Sequence, residues 1–220
     1  MPAALSPSAP PGDARPPGPS PGRAETLGDA RAEHFAASGF SAEEYGARWA
    51  RFPVGPLSFV VPNWRGRGRA LSLHDLHHGL TGYDTSLRGE AETAAWELAR
   101  GCGFHAIAWT LQLQAFAFGL LVCPVRTYRA FVRGRGGENL YDHAEATEEL
   151  LATPLAPLRK RLGLDHERAA SAGDRLVFVG LSALALICGA LGALSLLFPL
   201  TWLLAGAWHL SYDPEARLPD

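Results

Sequence analysis

Three imidazoles and several carboxylates crowd one short stretch of this 220-residue chain. His74, His77, His78, Asp75, Glu90 and Glu97 all lie in LHDLHHGLTGYDTSLRGEAETAAWEL, Leu73 to Leu98. His74, Asp75 and His78 stand at i, i+1 and i+4. On a helix the two histidines face one way a turn apart, and Asp75 projects about 100° round from His74. A carboxylate arriving from the next helix then closes a mixed nitrogen and oxygen set suited to zinc or a non-haem iron type ion.

The elements that must position these groups are two short helices. Ser72 can cap the first, and Gly79 and Gly82 close it. Asp75 lies three residues after Ser72, so a capping-box role competes with ligation for that carboxylate. The turn TGYDTS offers Asp84, Thr85 or Ser86 as cap for a second helix, Leu87 to Arg100, stopped by Gly101. Its face Glu90, Thr93, Ala94, Glu97 follows helical spacing and is expected to look back at His74 and His78.

The string from His74 to Glu90, HDLHHGLTGYDTSLRGE, resembles the His-Asp, two residues, His, eleven residues, Glu signature of the ubiquinone (coenzyme Q) biosynthesis family conventionally numbered four. Leu80, Thr81, Gly82 and the pair Gly89, Glu90 match the turn and Gly-Glu elements of that pattern, and PLAPLRKRLGLD is similar to the family's last amphipathic helix. The resemblance implies that His74, Asp75, His78 and Glu90 bind a divalent metal, zinc in most descriptions. It also implies an all-helical, membrane-associated fold that holds a polyprenyl chain in an apolar groove, and a role in replacing the carbon-1 carboxyl of a polyprenyl hydroxybenzoate by hydroxyl. Asp75 or Glu97 would then move protons. Two features depart from the family: the extra His77, expected to point away from the metal, and an apolar C-terminal segment. HDLHH is also an HxxHH box of the membrane hydroxylase type, but His34, His105, His143, His166 and His209 are scattered singly. A non-catalytic prenyl-lipid scaffold of a quinone-biosynthesis complex is a further alternative.

The flanks set the context. The first 22 residues hold eight prolines and three glycines and are expected to be disordered through residue 24. A helical domain is expected over residues 25–170, with His34 at its surface. Ser41 and Glu44 have the form of a capping box for a helix from Ala42 to Arg51, stopped by Pro53 and Pro56. LSFVVP reads as an extended connection and RGRGR as a solvated glycine-rich loop. Phe104 to Cys123 is apolar but carries Gln112 and Gln114, which favours a buried helix, ended by Pro124, over a lipid-facing one.

Leu176 to Leu210 contains no formally charged side chain over 35 residues. One helix of that length would run about 52 Å against a hydrocarbon thickness of about 30 Å. Pro199 therefore suggests a hairpin, or one span followed by an interfacial piece, within residues 175–210. Arg159, Lys160, Arg161, Arg168 and Arg175 precede it, which by the positive-inside tendency places the N-terminal domain in the cytoplasm. A formal charge of -2 gives no global attraction to nucleic acid. Three cysteines without CxxC spacing read as buried thiols. The expectation is thus an all-α domain with a metal-site helix pair and a C-terminal transmembrane segment or hairpin.

Overall fold

A computed structural model of the protein describes residues 24–39, 41–47, 49–54, 57–62, 65–143, 146–166 and 168–211; the proline-rich stretch expected to be disordered lies outside them. The architecture is helical, in the order α1 (Leu27–Ser38), α2 (Glu43–Gly46), a hairpin of β1 (Trp49–Val54) and β2 (Leu57–Pro62), α3 (Arg65–Thr81), α4 (Leu87–Arg100), α5 (Ala106–Val122) and α6 (Pro124–Gly134). A 3₁₀ turn at Leu140–Asp142 follows, then α7 (Glu148–Leu151), α8 (Leu155–Arg161) and the long α9 (Ala172–Ser211).

Three local expectations are corrected. The helix read from Ala42 to Arg51 ends at Gly46, and the residues beyond it form β1, which pairs antiparallel with LSFVVP in the register Phe52↔Phe59. The extended segment thus finds its strand partner in residues that helical spacing had claimed. RGRGR is not a loop but the opening of α3, which starts eight residues before Leu73. Glycine disfavours a helix by about 1 kcal/mol, yet close packing repays it here: a Cβ on Gly68 would lie 2.4 Å from the Tyr45 carbonyl oxygen of α2. Pro124 ends α5 by opening α6, at a position where its missing N–H costs nothing.

Helix α4 is the centre of the domain. Ala91, Ala94, Ala95, Trp96, Leu98 and Ala99 are buried on it, and α5 and α6 pack across them. Small residues set the approach, since a Cβ on Gly134 of α6 would stand 2.5 Å from the Trp96 carbonyl oxygen. Arginines then tie down the carbonyls that helix ends leave unpaired. Arg133 donates to Thr81 and Leu164 at 3.0 and 3.2 Å, Arg135 to Ala99 at 2.9 Å, Arg100 to Leu162 at 2.6 Å, and Arg159 to Leu80. These bonds lock the C-terminal end of α3, and so the pitch of its histidines, against the rest of the domain.

Helix α9 starts with a reciprocal cap in which the Asp174 N–H donates to Ser171 Oγ (3.1 Å) and the Ser171 N–H to Asp174 Oδ2 (2.9 Å). It then runs as one element to Ser211, unbroken at Pro199, so the hairpin expectation gives way to a single helix. Phe178 packs on Phe116, Tyr128 and Phe131, and Gln114 donates to the Cys188 carbonyl oxygen at 3.2 Å. Leu176, Val179, Ile187, Leu191 and Leu194 are nonetheless 59–75% exposed. The stretch Ala172–Leu194 is long and apolar enough to cross a membrane and is almost wholly uncovered by the domain. Of the cysteines, Cys102 and Cys123 are buried and all three are free thiols.

Candidate metal centre

The histidines enter the site from α3 and the carboxylates from α4. Ser86 caps α4, accepting from the Gly89 N–H at 3.2 Å, which places Glu90 in its first turn and Glu97 two turns on. α3 ends at Thr81, with Gly82 left-handed at φ 74° and its N–H donating to the His78 carbonyl oxygen (2.9 Å). That turn brings the Tyr83 carbonyl oxygen to 3.0 Å from His78 Nδ1.

His74, His78 and Glu90 each offer one ligand atom inside a single cluster, all within 4.8 Å of one another. The two Nε2 atoms are 3.1 Å apart; Glu90 Oε2 is 3.1 Å from His74 Nε2 and Oε1 is 3.4 Å from His78 Nε2. Bonds of 2.0 to 2.1 Å at a tetrahedral angle would space ligand atoms by about 3.3 Å. The residues therefore fit a divalent cation.

The outer faces of both rings are committed. His78 Nδ1 donates to the Tyr83 carbonyl, and His74 Nδ1 to Glu97 Oε1 at 2.8 Å. Neither acceptor has a proton to offer, so each Nδ1 carries the hydrogen and each Nε2 keeps its lone pair for a cation. Glu97 is fully buried and takes two further bonds, from His77 Nδ1 (2.7 Å) and the Tyr141 hydroxyl (2.9 Å). Gln112 of α5 brings its amide to 3.1 Å from His74 Nδ1. α5 thus lies between the metal group and α9, where Gln114, two residues on, donates to the Cys188 carbonyl oxygen.

The charges follow from this packing. Burial pushes Glu97 up, but His74 and His77 outweigh it and hold its carboxyl at about 2. Burial works the same way on Glu90, and bonds from His74 and His78 pull it well below the usual carboxylate range. His74 is pressed down by burial and lifted further by Glu97 and Glu90, ending well above an ordinary imidazole. Burial lowers His77, which accepts the Leu140 N–H on Nε2 at 3.0 Å and is a neutral ring of fixed tautomer. Without a metal the group accordingly stores a proton on His74, which a cation would displace.

Three expectations are revised. Asp75 does not join the cluster: its Oδ2 accepts from the Tyr45 hydroxyl at 2.5 Å. Nor does it cap the helix, because Ser72 lies inside α3 and donates to the Arg69 carbonyl. His77 does not simply turn away; it is wholly buried and braces Glu97. His34, read as a surface histidine, is buried and stacked on His78 with centroids 4.9 Å apart, its Nε2 3.9 Å from Asp75 Oδ1. Burial, then His78 and His74, lower its pKa to about 4. Leu27, Ala30 and His34 form the buried face of α1 at i, i+3 and i+7, a spacing that could have placed it. Tyr141 and the Tyr83 carbonyl carry no comparable sequence signal.

Compared with protein-family models, with curated proteins and with solved structures, the chain matches none of them.

Proposed function

We propose that the protein is a metal-dependent enzyme of prenyl-quinone metabolism acting at a membrane on a polyprenyl hydroxybenzoate-type head group. The observation that carries the metal part is the convergence of two oriented Nε2 atoms on the Glu90 carboxylate. The substrate part rests on the resemblance of the His74 to Glu90 string to the quinone-biosynthesis signature.

A bound divalent ion, zinc in this reading, supplies Lewis acidity toward a carboxylate or phenolate as carbon dioxide leaves. Zinc carries no electrons, so the hydroxylation half draws on an outside oxidant or on a redox metal. His74 and His78 orient the ion, and Glu97 fixes the tautomer of His74. Asp75, raised by burial and bonded to Tyr45, holds or passes a proton on the His34 side of the group. The Glu90 side chain is 33% exposed and marks the side open to substrate. Exposed Leu111, Leu121 and Val122 of α5 would receive the tail, and α9 would hold the mouth at the bilayer with the helical domain on the cytoplasmic side.

Three protein ligands are the count that catalytic zinc sites use, whereas a purely structural staple closes with four. That favours catalysis over the scaffold reading, in which Asp75 would have to leave Tyr45 to complete the set. Elemental analysis of the purified chain tests the proposal. Near-stoichiometric divalent metal in the wild type, lost in His74→Ala and His78→Ala, is expected; a folded wild type that takes up no metal overturns it. Extraction by alkaline carbonate would contradict the membrane part.

A further inference from the structure

A concave site lies beside α6 and shares only Tyr83 with the surroundings of the metal group. It encloses about 610 Å³ and is lined by Tyr83, Tyr128, Arg129, Arg133 and Arg168 together with the carboxylates Glu92 and Asp165. That volume falls in the range of small-molecule sites.

Its charges do not cancel. Glu92 is taken by Arg126 at 2.6 Å, Asp165 lies 3.7 Å from Arg159, and Arg168 is paired with Asp174 at 2.9 Å. Among the described residues no carboxylate pairs with Arg129 or Arg133. Arg133 is held rigidly, its two terminal nitrogens on the Thr81 and Leu164 carbonyls and its guanidinium 5.4 Å from the Tyr83 ring centre. Arg129, four residues earlier on α6, is exposed. Two guanidiniums one turn apart with no paired carboxylate suit a compact oxyanion.

The position supplies the rest. Ala170 lines the cavity two residues before α9 begins, and Tyr128 packs on Phe178 in its second turn. The cavity therefore lies beside the start of α9, which stays packed on α5 as far as Cys188; where Ala172–Leu194 crosses a membrane, its first turns stand at the depth of phospholipid head groups.

We propose that this cavity binds a phosphate group through Arg129 and Arg133, carried by an anionic phospholipid at the point where α9 enters the membrane. The lipid half rests on reading α9 as a membrane helix; the phosphate half does not. The full chain is reconstituted in nanodiscs of phosphatidylcholine with a minor fraction of phosphatidylglycerol, and retained lipid is counted by native mass spectrometry. Selective retention of phosphatidylglycerol is expected, weakened about tenfold in Arg129→Gln and unchanged in Arg175→Gln, an exposed arginine outside the cavity. Inorganic phosphate is titrated separately in detergent. Saturable phosphate binding lost in Arg129→Gln, without lipid selectivity, supports the site and assigns it to a soluble phosphate. Equal losses in both variants, or neither lipid selectivity nor phosphate binding, overturn the proposal.

Discussion

His74 and His78 meet edge to face, their rings at 90° and their Nε2 atoms 3.1 Å apart. Two neutral imidazoles gain nothing from opposing lone pairs at that distance, so the pair is stabilised only by a proton or a cation between them. Each ring is fixed from behind, one by Glu97 and the other by the Tyr83 carbonyl, and this makes the arrangement sensitive to single substitutions.

Glu97→Gln keeps the shape of the side chain but removes the charge that orients His74. Zinc affinity, read by competition with a chromophoric chelator, should fall about 10- to 100-fold while binding at saturation remains near one ion per chain. Unchanged affinity would remove Glu97 from the metal group.

His77→Ala should separate folding from ligation. It strands the Leu140 N–H and one bond to Glu97 in a buried place, with an expected loss of about 3 kcal/mol in denaturant unfolding and retained metal stoichiometry. Loss of the metal in a variant that still folds would make His77 a ligand.

The metal-free protein should be most stable near pH 6.5. His74 has a raised folded pKa, so its contribution is full below 6.5 and fades as pH rises toward that folded value. His34 and His77 are lowered, so the folded state binds fewer protons than the unfolded one and stability falls on acidification below 6.5. Glu90 and Glu97, lowered from 4.5, add to the acid loss below that value; Asp75, raised from 3.8, opposes it. Saturating zinc should abolish the alkaline decline, because the ligand form of His74 is the deprotonated one. Unfolding curves from pH 4 to 9, with and without zinc, measure both arms; a metal-free maximum near pH 9 would contradict the assignment to His74.

Gly68→Ala places a methyl group 2.4 Å from the Tyr45 carbonyl oxygen, a backbone atom that cannot rotate aside. A loss of about 2 kcal/mol is expected, together with a weaker Tyr45 to Asp75 bond, visible as a shift in the Asp75 titration by NMR. A neutral substitution would mean that α2 does not rest on α3 as described.

The helix pair was legible in the sequence because its signals are local. Ser86 caps α4 and Gly101 ends it, so Glu90, Thr93, Ala94 and Glu97 fall on one turn-by-turn face whatever surrounds them. The apolar run after Arg175 declared a membrane-length helix for the same reason. The start of α3 was not legible: glycine and arginine alternate there, and only the approach of Tyr45 to Gly68 makes a helix the better choice. The hairpin was hidden because β1 and β2 become strands only by pairing with each other, which neither segment records alone.

By itself the sequence determined which side chains share a turn, and with them the likeness of His74, His78 and Glu90 to a ligand set. It also marked the apolar C-terminal run, though not that the run stays one helix past Pro199. Tertiary structure alone decided the partners: that Glu97 faces His74 and His77 together, that His34 stacks on His78, and that Asp75 turns to Tyr45. The physical reason is one of range. Helical spacing and capping act within about four residues, whereas the bonds that tie Glu97, His77 and Asp75 into the site join residues 20 to 63 positions apart. Those bonds form only when burial brings their elements together.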